Sequence, residues 1–144
     1  LLLFRSHTIT TKNRNINFND FVYDFTNYPD INDLYIVSDI LISDYSSTFF
    51  DYSILEKPLI CYAADYDSYS KSRGFYIDLS NELPGSIISN TKQLIDRIIS
   101  IENPVNYSKE ISEVKKFKGK YLSFGGKATN ECIDLIINFC EVNN

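Results

Sequence analysis

The sequence predicts an α/β fold in which a mainly parallel sheet is flanked by helices. Three short apolar segments, at residues 1–5, 39–43 and 58–62, have the composition of strands that are buried on both faces of such a sheet. Segments with helical spacing follow them after short connections. Strands that alternate with helices in this way are typical of βαβ units with right-handed crossovers.

The composition is that of one globular domain. The chain has 144 residues, of which 44% are apolar and 23% charged, and both fractions are ordinary for a folded protein. The net charge of −5 argues against nucleic acid as a partner, because sequence-independent binding needs clustered Lys and Arg. The chain contains no Met and begins within an apolar strand, so we expect it to be a piece of a longer protein.

The first half of the chain is expected to contain one further strand and the first two helices. Residues 8–17 are polar without a hydrophobic period and are expected to form a loop, whereas residues 21–25 fit a second strand. Asp30 stands where an N-cap is expected, before a helix. The strand at 39–43 leads into a polar turn and a helix at about 47–56, which ends before a proline.

In the second half, residues 66–71 are expected to form a short helix and residues 87–88 a short edge strand. Residues 90–93 resemble a capping box that opens an amphipathic helix. Two more helices are predicted at 109–120, with a basic outer face, and at 127–142. The helix that opens at residues 90–93 is expected to face inward with Leu94, Ile95, Ile98 and Ile99. In the last helix, one stripe contains Cys132, Leu135, Ile136 and Phe139.

The cysteines and acids do not predict a metal site or a disulfide framework. Cys61, Cys132 and Cys140 are an odd number of widely spaced residues without a CxxC motif. We expect them to be buried thiols in a reducing compartment. The neighbouring acids Asp65 and Asp67 lack partners for metal binding, and we expect neither a metal nor another cofactor.

The segment 43–51, Ser-Asp-Tyr-Ser-Ser-Thr-Phe-Phe-Asp, is the sharpest candidate site. Ligands of parallel α/β sheets bind beyond the carboxyl ends of the strands, which places 44–48 at the expected edge. Hydroxyls and free N–H groups at Ser46–Thr48 could bind phosphate, and Asp51, one turn later, could accept the hydroxyls of a ribose. This pattern predicts a nucleoside diphosphate site. The structural alternative is that Ser46 or Ser47 only caps the helix.

His7 and Arg73 are two further candidates. His7 is the only histidine and follows a predicted strand, and the imidazole group suits proton transfer or contact with phosphate. Arg73 lies in a loop flanked by aromatic residues, and arginine binds phosphate with two parallel hydrogen bonds. An incidental histidine and a solvated surface arginine are the structural alternatives.

Several linked segments resemble one family, the CDP-glycerol glycerophosphotransferases, which include teichoic-acid polymerases and primases. The order and spacing agree from residue 1 to about residue 140. The segments are Leu3-Phe4-Arg5-Ser6-His7, Asp30-Ile31-Asn32-Asp33-Leu34-Tyr35, Ser38-Asp39, Ser43-Asp44-Tyr45-Ser46-Ser47, Phe50-Asp51-Tyr52, Lys57-Pro58, Arg73-Gly74-Phe75-Tyr76-Ile77-Asp78, Leu83-Pro84-Gly85-Ser86-Ile87 and Gly126-Lys127-Ala128-Thr129.

The resemblance implies a GT-B architecture of two Rossmann-like domains, of which this chain would be the C-terminal, donor-binding one. The family transfers glycerol phosphate or ribitol phosphate from a CDP-alditol to a hydroxyl of a lipid-linked acceptor and releases CMP. The acceptor would be bound through the missing N-terminal domain, which would also supply the catalytic base. The expected location is the inner face of the cell membrane, where the enzyme would be peripheral.

Residue by residue, the resemblance implies that Ser46 and Ser47 hold the diphosphate and that Asp51 binds the ribose. Arg73 would help to neutralise the phosphates, and His7 would contact them. Two alternatives keep the fold and change the function: a glycosyltransferase that uses a nucleotide sugar, and a non-catalytic nucleotide-binding domain.

Overall fold

A computed structural model describes residues 1–6, 16–123 and 125–142. It confirms the α/β class, with parallel strands and flanking helices. Strands β1 (Leu2–Phe4) and β2 (Val22–Asp24) form one parallel pair, and β3 (Leu41–Ser43) and β4 (Leu59–Cys61) form another. The expected edge strand at 87–88 is reduced to a single parallel bridge between Tyr62 and Ile88.

Helices of four to eighteen residues surround these strands. The Asp30 carboxylate accepts a hydrogen bond from the backbone N–H of Asn32 at 2.8 Å, as the N-cap prediction requires. Within the described ranges the helices are α1 (Ile31–Val37), α2 (Thr48–Ser53), α3 (Tyr66–Ser72), α4 (Leu79–Glu82), α5 (Thr91–Ile101), α6 (Pro104–Tyr121) and α7 (Ala128–Val142).

The main core lies where α2 packs between the β3–β4 pair and α6. Tyr52 and Val114 are completely buried, and Phe49 and Leu59 are 1% exposed. Phe50 adds a contact on the same side, because its ring lies 5.1 Å from the ring of Phe117 on α6. Helix α2 is therefore anchored by aromatic side chains on both of its neighbours.

Helix α5 faces inward with half of the predicted stripe. Leu94 and Ile98 pack against a second core cluster that includes Ile101, as predicted, whereas Ile95 and Ile99 are 50% and 58% exposed, so the prediction was wrong for those two. The buried positions follow an i, i+4, i+7 spacing, which is a narrower face than the predicted one.

Helix α6 begins five residues before the predicted start at Lys109. The Asn103 side chain accepts from the backbone N–H of Val105 at 2.9 Å, and Pro104 occupies the first turn. Proline suits that position because the N–H it lacks would have no helical partner there. The short helix α4 was not predicted, although Asp78 caps it by accepting from the backbone N–H of Ser80.

Helix α7 has the predicted bounds within one residue, but its apolar stripe does not face the core. Leu135, Ile136 and Phe139 are 68%, 64% and 71% exposed. Cys132 and Cys140 are also exposed, so the expectation of buried thiols was wrong for both and holds only for Cys61. Among the helices of the described residues, none is long and apolar enough to cross a membrane.

An ion pair joins α5 to α6 beside the turn that precedes α5. The guanidinium of Arg97 lies 2.6 Å from the carboxylate of Glu110, and Glu110 is only 4% exposed. Gly85 has a φ of +75°, and a Cβ atom there would lie 2.5 Å from the Arg97 guanidinium. Glycine at this position therefore leaves the space through which Arg97 reaches Glu110.

We expect Arg97→Ala to lower the free energy of unfolding by about 2–3 kcal/mol, because Glu110 would keep a buried carboxylate without its counter-charge. Urea denaturation followed by circular dichroism measures this loss. The matched control is Lys116→Ala, which removes the exposed ion pair with Glu113 and should cost less than about 0.5 kcal/mol. Equal losses in the two variants would contradict a structural role for the Arg97–Glu110 pair.

Candidate functional site

The candidate site is the turn that connects β3 to α2. Ser46 and Thr48 are half-buried there, whereas Asp44 and Ser47 are exposed. The Ser46 hydroxyl accepts a hydrogen bond from the backbone N–H of Thr48 at 3.2 Å. The capping alternative therefore applies to Ser46, while Ser47 makes no capping bond through its side chain. A hydroxyl that accepts one hydrogen bond can still donate its own proton, so capping does not prevent Ser46 from binding an anion.

Helix α2 is shorter than predicted, at six residues. Helices this short have less than two turns, and their dipole is correspondingly weak. The hydroxyls of Ser46 and Thr48 are therefore more important for an anion at this turn than the helix dipole. The Thr48 hydroxyl makes a long hydrogen bond to that of Ser43, at 3.5 Å.

Asp51 is exposed on the same helix, three residues after Thr48. Residues at this spacing are neighbours on a helix surface, so the Thr48 and Asp51 side chains lie near each other on α2. Ser46, Thr48 and Asp51 all lie at or just after the turn that follows β3, and their role in binding a ligand stays a prediction. An exposed carboxylate has acceptor capacity for two hydroxyl groups, which a ribose provides.

Tyr35 on α1 packs against Tyr52 of α2, with ring centroids 5.6 Å apart, and was not predicted as a site residue. Its side chain is 6% exposed, and its hydroxyl has no hydrogen-bond partner in the part of the chain that the structure describes. Thr48 lies one turn before Tyr52 on the same face of α2, which makes it a neighbour of Tyr35. Burial raises the pKa of the Tyr35 hydroxyl and Asp51 raises it further, whereas the Thr48 side chain opposes this shift.

Arg5 follows β1 directly in the chain. The positive charge of Arg5 also opposes the rise in the pKa of Tyr35, and the Arg5 guanidinium donates to the backbone carbonyl of Tyr28 at 2.5 Å. His7 follows two residues later and lies outside the described residues, so its predicted role stays a prediction.

Arg73 is exposed at the end of α3. Aromatic rings that lie near it in the sequence pack against Tyr45 of the candidate turn. The Tyr45 ring lies 4.0 Å from the ring of Tyr69 and 5.4 Å from that of Phe75, and these two rings flank Arg73 in sequence. The Tyr45 hydroxyl donates to Asp65 at 2.6 Å. Burial and this acidic partner raise the pKa of Tyr45, so the hydroxyl remains a donor.

A cavity of about 540 Å³ opens beside these rings, beyond the carboxyl end of β4. Its lining includes the side chains of Asp65, Tyr66, Ser68, Ser86 and Ser89. In the described ranges of the chain, no group of three or more His, Cys, Asp and Glu residues could hold a metal ion.

Parallel strands joined through helices, with polar side chains at the turn that follows a strand, are the organisation of a Rossmann-like domain. Residues 1–138 match the family described as CDP-Glycerol:Poly(glycerophosphate) glycerophosphotransferase. The chain therefore belongs to this family, as the sequence motifs indicated.

Two curated relatives show the degree of similarity. The chain is 44% identical over 107 residues to the teichoic acid glycerol-phosphate transferase of Staphylococcus aureus (strain NCTC 8325 / PS 47), with 74% of this chain and 27% of the relative covered. It is 41% identical over 106 residues to the teichoic acid poly(glycerol phosphate) polymerase of Bacillus subtilis (strain 168), with 72% and 14% covered. The chain thus spans about a quarter of the first relative's length and about a seventh of the second's.

The fold is also that of a solved enzyme. The wall teichoic acid polymerase TagF superposes with a TM-score of 0.74 at 32% identity, over 98% of this chain and 34% of the TagF chain. This agreement confirms the GT-B-like α/β class that the sequence motifs implied.

The reactivity of the Cys61 thiol reports how the candidate turn packs against β4. Its thiol donates to the backbone carbonyl of Asp44 at 3.3 Å, and burial, followed by the charge of Asp44, raises the pKa of Cys61 to about 11. At pH 8 its thiolate population should be roughly two orders of magnitude below that of an ordinary thiol.

We therefore expect iodoacetamide at pH 8 to label the exposed Cys132 well before Cys61, with peptide mass spectrometry as the measurement. In urea the two cysteines should react at similar rates, which controls for intrinsic reactivity. Rapid labelling of Cys61 in the folded protein would show that the turn is not packed as described.

Proposed function

We propose that this chain is the donor-binding domain of a transferase that acts in the synthesis of teichoic acid or a related phosphopolymer. The enzyme moves glycerol phosphate or ribitol phosphate from a CDP-alditol to a hydroxyl of a lipid-linked acceptor, and CMP is released. The observation that carries this proposal is the match of residues 1–138 to the glycerophosphotransferase family, with Ser46, Thr48 and Asp51 at the turn beyond the carboxyl end of β3.

The relatives support both alditols. Relatives of this chain include glycerol-phosphate enzymes and a ribitol-phosphate primase from Bacillus spizizenii (strain ATCC 23059 / NRRL B-14472 / W23), which is 30% identical over 140 residues. A variant of TagF was solved after a soak with CDPG and has a TM-score of 0.74 to this chain. We infer a CDP-alditol donor here and leave glycerol and ribitol as two arms of the test.

In the proposed complex, the hydroxyls of Ser46, Ser47 and Thr48 donate to the oxygens of the diphosphate. Asp51 accepts hydrogen bonds from the ribose hydroxyls. The exposed carboxylate of Asp44 would repel phosphate, so its place is beside a hydroxyl-bearing part of the donor. These groups position the donor before the reaction rather than reacting themselves.

The reaction itself is an in-line displacement at the β-phosphorus of the donor. The acceptor oxygen forms a new bond to phosphorus while the bond to the CMP oxygen breaks, and the electron pair of that bond leaves with CMP. A base outside this chain takes the acceptor proton. Arg73 and His7 supply positive charge that stabilises the charge on the transferred phosphoryl group.

The acceptor site and the membrane contact belong to parts of the enzyme beyond this chain. An N-terminal domain would complete the GT-B architecture and would bring the lipid-linked acceptor to the donor. We place the complete enzyme on the inner face of the cell membrane, as a peripheral protein, with a wall polymer or a capsule as its product.

We expect Ser46→Ala and His7→Ala each to reduce glycerol-phosphate transfer from CDP-glycerol at least about tenfold in the complete natural enzyme, which corresponds to about 1.4 kcal/mol of transition-state stabilisation. Release of CMP during polymer synthesis measures the rate. Ser108→Ala, which removes an exposed hydroxyl on α6, is the matched control and should leave the rate unchanged.

The complete natural enzyme, without substitutions, should be stabilised against thermal unfolding by CDP-glycerol or CDP-ribitol more than by UDP-glucose. Near-native turnover of both variants would remove Ser46 and His7 from the site, and preferential stabilisation by UDP-glucose would favour a glycosyltransferase instead.

A further inference from the structure

Tyr35 combines a packed ring with an unsatisfied hydroxyl. The ring lies edge-on to that of Tyr52, with centroids 5.6 Å apart and an angle of 75°. It belongs to the main core cluster, so the side chain has little freedom to move. Yet its hydroxyl is buried and lacks a hydrogen-bond partner among residues 1–6, 16–123 and 125–142, an arrangement that costs stability.

The neighbouring hydroxyl of Thr48 is also poorly satisfied. Its hydrogen bond to Ser43 is 3.5 Å long, which is at the weak limit for two hydroxyl groups. Because burial and Asp51 raise the pKa of Tyr35, the Tyr35 hydroxyl keeps its proton at neutral pH and can donate. Thr48 can accept that hydrogen bond once its own proton points elsewhere.

We propose that Tyr35 is a positioning residue of the donor site, and that its hydroxyl donates to Thr48 Oγ1 when Thr48 donates to a phosphate oxygen of the bound nucleotide. The inference rests on the proposed function, since it needs a phosphate at the Ser46–Thr48 turn. Binding turns the Thr48 hydroxyl away from Ser43 and towards the ligand. A donor hydrogen bond from Tyr35 then polarises Thr48 and strengthens its bond to the phosphate.

Tyr52 provides the contrast within the same core. Its hydroxyl donates to the backbone carbonyl of Ser38 at 3.1 Å, so this hydroxyl already has a structural partner in the ligand-free chain. Removing the Tyr52 hydroxyl breaks its hydrogen bond to a carbonyl that also accepts from Lys57, whereas removing the Tyr35 hydroxyl relieves an unsatisfied group. The two tyrosines should therefore respond oppositely to the same substitution.

The test compares Tyr35→Phe with Tyr52→Phe in the complete natural protein, using thermal denaturation without ligand and calorimetric titration with CDP-glycerol. Tyr35→Phe should keep or raise the Tm and weaken CDP-glycerol binding at least threefold. Tyr52→Phe should lower the Tm and leave the affinity unchanged. Thr48→Val should weaken binding as well, and Tyr35→Phe should add nothing to it, because the tyrosine acts through Thr48.

Three outcomes overturn the inference. A lower Tm for Tyr35→Phe would show that the hydroxyl is a structural hydrogen-bonding group. Native affinity in Tyr35→Phe, with normal binding by the unsubstituted protein, would remove Tyr35 from the site and leave the proposed function intact. Absence of CDP-glycerol and CDP-ribitol binding by the unsubstituted protein would reject the donor site, and the role of Tyr35 with it.

Discussion

The packing of α2 in the core is the constraint on which the rest of the structure depends. Phe49 and Tyr52 are 1% and 0% exposed, and they hold the helix between the β3–β4 pair and α6. Asp51, on the other side of this six-residue helix, is exposed. Thr48 lies one turn before Tyr52, towards the buried side, and is half-buried, so the packing of the helix fixes the positions of both residues.

The chain segment after α2 extends this constraint to its neighbours. The ammonium group of Lys57 donates to the carbonyls of Ile36 and Ser38, at 2.7 and 2.8 Å, and so ties the end of α1 to the segment that follows α2. Glu56 has a φ of +54° and is held by two lysines of α6. Helices α1, α2 and α6 are thereby fixed as one unit, with the Tyr35 hydroxyl inside it.

Local rules were sufficient for the elements whose cause is local. The Asp30 cap, the strand-to-helix turn and the grouping of Ser46 with Asp51 follow from chain order and helical spacing. The partners of long-range contacts could not be predicted, because nothing local connects Arg97 with Glu110 or places the Tyr35 hydroxyl beside Thr48. Apolar stripes were likewise ambiguous: they mark a helix face but not whether a neighbour covers it, as α5 and α7 show. The start of α6 at Asn103-Pro104 was not predicted, because a proline is found both just after helices and in their first turn.

The stacked rings beside the turn have an optical consequence. The chain contains no Trp and eleven Tyr residues, so its ultraviolet emission comes from tyrosine. Three of these tyrosines, Tyr45, Tyr66 and Tyr69, lie around Phe75 beside the candidate turn. A ligand that displaces the turn changes the surroundings of Tyr45 directly. Tyrosine emission therefore reports binding of a ligand at the candidate turn, and no label has to be attached.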